Sequence, residues 1–198
     1  QYHIKRCGTR RARLCCNGSK YAAPLLHELA LTYSSCVEHP VQRLFFAISA
    51  NLNLKVYGGD AKDAFAHSPG PELATYLAID DAYSEWYENE CGKTIDRSLV
   101  LPILRALQGH PESGRLWEIH INKILQSPEL NFKTTTHDRT IYTTVFEGET
   151  VYLLRQVDDF ALACSDQHIA DKIYDIIGKK LQLPKEDKPP FAKLGLIN

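Results

Sequence analysis

The sequence lacks several features that place a chain in a specialised class. None of its six cysteines forms a C-x-x-C pair, so the pattern indicates neither a zinc site nor a disulfide framework. Reduced cysteines are the simplest account, and they predict an intracellular compartment. The chain has no apolar run near the roughly 18 residues that a membrane span needs, and it has no signal peptide. We therefore expect no membrane among its partners.

Methionine is missing as well, even at position 1, so we expect the chain to be a piece of a longer protein. Its 198 residues, 44% of them hydrophobic, are enough for one sizeable core. The net charge of -1 does not indicate a nucleic-acid partner. Residues 1–20, however, hold no acidic residue beside six basic ones, Lys5, Arg6, Arg10, Arg11, Arg13 and Lys20. Such a segment either meets phosphate or is a solvated terminus.

Hydrophobic periodicity predicts a mixture of helices and strands without strict alternation. Helical spacing marks 39–53, 115–125 and 165–181, and residues 80–97 are expected to form an irregular insertion with some helix. Strand patterns mark 10–16, 74–79, 140–146, 150–157, 160–164 and 191–197. A further short strand is expected to end at Gly58-Gly59. This order predicts an α+β fold with an antiparallel sheet and helices packed on one face.

The stretch "LLRQVDDFALA" places two aspartates, Asp158 and Asp159, between two apolar runs. The pattern predicts a tight hairpin with both aspartates at its tip. Aspartate is a common turn residue, so a purely structural role is one interpretation. The turn has no glycine, however, and two ionised carboxylates side by side repel each other. A divalent cation such as Mg²⁺, which takes oxygen ligands, is the alternative explanation.

A magnesium site predicts a third carboxylate at a neighbouring strand end. Asp60, in "YGGDAKDAFAH", is the best candidate because it follows the short strand and precedes Phe65 by five residues. Taken singly, Asp60 is also a plausible turn residue. The combination of the three aspartates is more specific than any one of them.

Five segments of the chain together resemble the reverse transcriptases of copia-type LTR retrotransposons. "GDAKDAFAHSPG" is similar to the family's motif A, "RALQGHPESGRLW" to motif B and "LLRQVDDFALACSD" to motif C. "RRARLCCNG" resembles the basic strand that opens the fingers, and "PFAKLGLI" the segment that grips the primer. The segments follow one another in the family's order across nearly the whole chain.

The resemblance implies a fingers-and-palm fold and an RNA-directed DNA polymerase. Fingers would span approximately 1–50 and 66–107, and the palm approximately 51–65 and 108–198. The thumb and the RNase H domain would be absent. The reaction would be transfer of deoxynucleotides to a primer 3′-hydroxyl with two Mg²⁺ ions, for which Mn²⁺ substitutes. Asp60, Asp158 and Asp159 would be the catalytic metal ligands, joined by the carbonyl of Ala61.

Further roles follow from the resemblance residue by residue. Phe65 would be the gate that rejects a ribose 2′-hydroxyl. The other expected nucleotide-binding residues are Arg11, Arg13, Gln108 and Gly109, with the choice between the two arginines left open. The expected primer-binding residues are Gln156, Val157, Leu194 and Gly195. Gln156 stands where the family usually has an aromatic residue.

The implied partners are an RNA or DNA template-primer, dNTPs and the rest of the retrotransposon polyprotein. The implied location is a cytoplasmic virus-like particle or the nucleus. One alternative is an inactive or domesticated retrotransposon-derived fold. Another is a metal-dependent hydrolase, which would need a water-activating base among His67, His110, His120 and His137.

Overall fold

A computed structural model describes residues 2–4, 8, 10–12, 14–181 and 190–197. The helices are α1 (Pro24–Leu29), α2 (His39–Asn51), α3 (Asp81–Cys91), α4 (Ser113–Leu125) and α5 (Gln167–Leu181). The strands are β1 (Tyr2–Ile4), β2 (Arg10–Ala12), β3 (Lys55–Ala61), β4 (Tyr76–Ala78), β5 (Val100–Pro102), β6 (Lys133–Thr134), β7 (Ile141–Phe146), β8 (Glu149–Gln156), β9 (Asp159–Cys164) and β10 (Phe191–Leu196). One short 3-10 turn covers Ala64–His67.

The main sheet has six strands in the order β10-β3-β9-β8-β7-β6, and every neighbouring pair is antiparallel. Two further sheets have two strands each, β1-β2 and β4-β5. The mixture of helices with an antiparallel sheet agrees with the α+β prediction. The six strands come from 55–61 and 133–196, inside the ranges expected for a palm. The division into fingers and palm itself stays a prediction.

Helices cover both faces of the six-stranded sheet, so the expectation of helices on one face is wrong. On one face, α4 and α5 bury Trp117, Ile121 and Ile173 against the sheet. On the other face, Phe45 of α2 packs in a second cluster with Val56 and Ala163. Strand side chains alternate between faces, and both faces of the central strands are apolar. A single layer of helices would leave one of those faces in water.

The strand before Asp60 is longer than predicted. β3 runs through Gly58 and Gly59 to Ala61, so the glycines lie inside the strand and do not end it. A Cβ on Gly59 would lie 2.5 Å from Cζ of Phe191 and 2.9 Å from Cζ of Tyr174. Glycine is therefore required here so that two aromatic rings approach the backbone closely.

The elements next to the motifs agree well with the sequence patterns. α5 begins where expected, because the carboxylate of Asp166 accepts hydrogen bonds from the backbone N–H groups of His168 and Ile169 at 2.8 and 3.2 Å. The segment expected to be an irregular insertion contains the regular helix α3, capped by Asp80, which accepts from the N–H of Tyr83 at 2.8 Å. Among the described ranges, no helix is both long and apolar enough to cross a membrane.

Candidate functional site

Asp60 and Asp159 lie directly opposite each other on the neighbouring strands β3 and β9. Cross-strand partners in an antiparallel pair place their side chains on the same face, about 4.5–5.5 Å apart at Cβ. Asp60 is half-buried, whereas Asp158 and Asp159 are exposed. The structure therefore places Asp60 beside Asp159, and Asp158 is the residue that precedes Asp159 in the turn.

The hairpin tip differs by one residue from the prediction. Gln156 pairs with Asp159 across β8 and β9, so the turn consists of Val157 and Asp158, and Asp159 is the first residue of β9. Val157 has φ +55°, which is rare for a β-branched residue and marks backbone strain. Strain of this kind occurs where the surrounding structure holds the backbone in place.

Two hydrogen bonds hold the turn. The indole N–H of Trp117 donates to the carbonyl of Val157 at 2.7 Å. The backbone N–H of Ala61 donates to the carbonyl of Asp158 at 2.9 Å. Ala61 is fully buried at the end of β3. The turn is thus attached both to α4 and to the strand that carries Asp60.

The three carboxylates affect one another electrostatically. Partial burial of its carboxylate raises the pKa of Asp159, and the neighbouring charges of Asp158 and Asp60 raise it further. Because like charges oppose ionisation in this way, a bound cation would offset the repulsion.

The donor chemistry fits Mg²⁺ better than a softer metal, because the group offers carboxylate oxygens. Among the described residues, no group of three or more His, Cys, Asp or Glu side chains is arranged so that it could hold a metal ion. Mg²⁺ commonly takes one or two carboxylates and completes its shell with water and substrate phosphates. A Mg²⁺ ion held by these aspartates would therefore need water and substrate phosphates to complete its shell.

A cavity of about 450 Å³ adjoins the turn. Four of the predicted site residues line it, namely Phe65, Gln108, Val157 and Asp158, beside Leu14 and Asp63. Phe65, in the 3-10 turn, is half-buried and also packs against the main core. Its ring thus forms part of the core and part of the cavity wall.

Gly109 allows two backbone segments to approach closely beside this cavity. It has φ +87°, and a Cβ at this position would collide with the carbonyl oxygen of Cys16. The neighbouring carbonyl of Gln108 accepts a hydrogen bond from the N–H of Cys16 at 2.7 Å. The glycine of the predicted motif therefore has a structural role: it allows the segment that follows Leu14, a residue of the cavity wall, to pass close to the backbone of Gly109.

A second hollow of about 240 Å³ lies beside Asp159. Gln156 and Leu194, both predicted primer-binding residues, line it together with Gly58 and Gly59. Leu194 is 62% exposed, and the pairing of β10 with β3 is irregular between Lys193 and Gly195. The backbone of Gly195 has φ +78°. The side-chain oxygen Oε1 of Gln156 accepts a hydrogen bond from the backbone N–H of Val37 at 3.0 Å.

The predicted basic residues of the fingers are only partly described. Arg11 lies in β2, where its backbone pairs with His3. Arg13, Lys5 and Arg6 lie outside the described residues. The expected contact of Arg11 or Arg13 with the nucleotide therefore stays a prediction.

Sequence reasoning missed the hydrogen bond from Trp117 to the turn. A buried indole N–H usually donates to an acceptor, so the sequence could have indicated that Trp117 makes such a bond. The acceptor is 40 residues away along the chain, and no local pattern identifies it. Leu14 and Asp63 were missed for the same reason, because only the folded chain places them in the cavity wall.

Two of the four histidines considered for a hydrolase, His67 and His110, are buried and make hydrogen bonds away from the cavity. His67 is buried, and its Nε2 contacts the carbonyl of Lys62 at 2.9 Å. His110 is buried and accepts from the N–H of Glu112 through Nδ1 at 3.2 Å. The cavity beside Asp158 has no histidine among its described lining residues.

Comparison of the chain with protein-family models, with curated proteins and with solved structures gives no match. Any assignment of function therefore depends on the motifs and on the geometry of the site.

Proposed function

We propose that this chain is the fingers-and-palm part of a reverse transcriptase of the copia type. One observation carries the proposal: Asp60 and Asp159 face each other on β3 and β9, and Asp158 lies in the turn between β8 and β9 at the edge of a cavity. Two-metal nucleotidyl transfer needs carboxylates held rigidly beside a space for the substrate.

The wall of the cavity supports a nucleotide as the ligand. Phe65 presents a half-buried ring that is fixed by the core, and such a ring would exclude a ribose 2′-hydroxyl by its bulk. Gln108 is exposed at the same cavity and offers an amide to a base or a sugar. About 450 Å³ lies within the usual range for small-molecule sites.

In the proposed reaction, the primer 3′-oxygen attacks the α-phosphorus of a dNTP, and the bond to pyrophosphate breaks. Two Mg²⁺ ions would neutralise the negative charge on the attacking and leaving oxygens. Asp60, Asp158 and Asp159 would hold these ions, with the carbonyl of Ala61 as a further ligand. The protein's own contribution is positioning: the sheet fixes Asp60 and Asp159, and the turn fixes Asp158.

The hydrophobic second hollow is the proposed site of the primer end. It lies on the Asp159 side of the turn, and Gln156 and Leu194 form part of its wall. Val157, between Gln156 and Asp158, would support the terminal nucleotide together with Gly195. The remaining proposed partners are an RNA or DNA template and the other domains of a retrotransposon polyprotein, in a virus-like particle or in the nucleus.

Primer extension tests this proposal. The protein is mixed with an RNA template, a DNA primer, dNTPs and Mg²⁺, both as the 198-residue chain and with a thumb-containing extension. Extension is expected to fall at least about 10³-fold in the Asp158→Asn/Asp159→Asn variant, because removal of metal ligands removes the charge stabilisation. Glu90→Gln, an exposed carboxylate change on α3, serves as the control and should leave extension unchanged.

The outcomes separate the hypotheses. Loss of extension in the double variant alone would support the polymerase. Well-folded protein that fails to extend a primer in either form would favour an inactive retrotransposon-derived fold. Hydrolysis of a nucleic acid or a nucleotide without extension would favour the hydrolase.

A further inference from the structure

The geometry points to Trp117 as a positioning residue that orients Asp158 for metal binding. This inference rests on the proposed function, because it assigns Trp117 a part in the same metal site. Trp117 does not line the cavity beside Asp158 and touches no reacting group. It acts through the backbone of the turn.

Both peptide groups that flank Asp158 are held by hydrogen bonds. The carbonyl of Val157, which belongs to the peptide before Asp158, accepts from the indole N–H of Trp117 at 2.7 Å. The carbonyl of Asp158, which belongs to the peptide after it, accepts from the N–H of Ala61 at 2.9 Å. Fixing the two peptide planes fixes φ and ψ of Asp158, and hence the direction of its Cα–Cβ bond.

The turn needs such a restraint. Val157 has φ +55°, a conformation in which a β-branched residue is a clear outlier. Without an external partner, the peptide between Val157 and Asp158 would relax towards a more ordinary conformation. That rotation would change the direction in which the Asp158 side chain leaves the turn at the edge of the cavity.

Trp117 is well placed to supply the restraint because it is itself rigid. Its side chain is 1% exposed and packs in the main core, where Ile121 follows one helical turn later on α4. The next residue, Glu118, accepts from the N–H of Ser35 at 2.7 Å and pairs with the buried Arg155 at 3.5 Å. The helix is therefore anchored directly next to the residue that bonds to the turn.

Trp117→Phe isolates the hydrogen bond, because phenylalanine keeps a large aromatic ring and loses the N–H donor. We expect Mn²⁺, used as a probe of the metal site, to bind about five- to tenfold more weakly to this variant. Binding is measured from the electron paramagnetic resonance signal of free Mn²⁺, which needs neither template nor activity. Ile121→Val is the matched control. It removes a methyl group from the same buried helix face and should leave Mn²⁺ affinity unchanged.

A second measurement uses the wild-type chain and does not depend on a variant that folds. The sequence has two tryptophans, and Trp86 is 53% exposed on α3. We expect the ¹⁵N-labelled indole N–H of Trp117 to exchange with solvent at least tenfold more slowly than that of Trp86. Addition of Mg²⁺ should shift the Trp117 resonance and leave the Trp86 resonance in place.

The outcomes distinguish this inference from the proposed function. If wild type and Trp117→Phe bind Mn²⁺ equally, or if saturating Mg²⁺ leaves the Trp117 resonance unmoved, the positioning role is wrong and the metal site stands. Weaker binding by Ile121→Val to the same degree would also overturn the role, because general loss of packing would then explain the effect. A wild-type chain that binds no Mn²⁺ would overturn both proposals.

Discussion

Asp60 and Asp159 are direct cross-strand partners at one end of the ladder between β3 and β9, two carboxylates on one face of neighbouring strands. Like charges in this arrangement destabilise an antiparallel pair. A site whose ligands repel one another is less stable empty than with a bound cation, and this difference is measurable.

Replacement of Asp159 by asparagine should stabilise the metal-free protein slightly and abolish its stabilisation by Mg²⁺. The fold raises the pKa of Asp159, so stability falls as pH rises through that pKa, and the ionised form is the less stable one at neutral pH. Because Asp159 is exposed, we expect the free energy of unfolding to rise by less than about 0.5 kcal/mol in this variant. Thermal unfolding at pH 7 with and without excess Mg²⁺ measures both effects. An unchanged response to Mg²⁺ in Asp159→Asn would contradict the metal assignment, and Glu90→Gln should behave as wild type.

Gly109→Ala should destabilise the protein much more than Gly148→Ala, although the two backbones are alike. Gly109 has φ +87° and Gly148 φ +86°. A Cβ at Gly148 meets nothing within 4 Å, whereas one at Gly109 collides with the carbonyl oxygen of Cys16. Backbone strain should lower the free energy of unfolding by about 1–2 kcal/mol in both variants. The collision at Gly109 should lower it by about 1–3 kcal/mol more. Urea denaturation compares them; equal losses would mean that residues 14–18 do not press against Gly109.

Glu118→Gln should lower the free energy of unfolding by about 3–5 kcal/mol, because it leaves the guanidinium of Arg155 buried without a counter-charge. Arg155 is 1% exposed, and its Nη2 lies 3.5 Å from Oε1 of Glu118. Glutamine keeps an oxygen for the N–H of Ser35, which bonds to Oε2 of Glu118, so the change mainly removes charge. In the double variant Glu118→Gln/Arg155→Met, most of the stability should return. A double-mutant cycle with no coupling between the two positions would show that the pair is not a buried ion pair.

Acidification below neutral pH should destabilise the fold through buried histidines. Burial lowers the pKa of His110, partly offset by Glu112, and burial also lowers the pKa of His120. Below about pH 6.5 the unfolded chain takes up these protons before the folded chain does, so stability is lost as pH falls from about 7 towards the folded-state pKa values. The Tm is therefore expected to fall between pH 7 and 5.5.

His110→Asn tests the contribution of one site. Asparagine keeps an acceptor for the N–H of Glu112, which donates to Nδ1 of His110 at 3.2 Å, and it does not titrate. The fall in Tm over the same pH interval should be smaller in this variant. His168→Asn, at an exposed position on α5, is the control; an equal effect of both changes would argue against the buried histidine as the cause.

Most local structure was predictable, because local chemistry decides it. The apolar stripe of α5, its cap at Asp166 and the hairpin around Gly148 each follow from neighbouring residues. The end of β3 was predicted wrongly, because two adjacent glycines usually signal a turn. Here the packing of Phe191 and Tyr174 against Gly59 overrides that preference.

The candidate site was predictable as a set of residues and not as an arrangement. The sequence by itself determined that three aspartates lie next to apolar strands, that Phe65 and Gln108 accompany them, and that a cation would relieve their repulsion. Only the tertiary structure decided that α2 covers the second face of the sheet, that Val157 forms the turn in place of Asp159, and that Trp117 holds that turn. The physical reason is that these relationships join positions far apart in the chain, and such contacts are selected by packing of the whole core and not by the preferences of neighbouring residues.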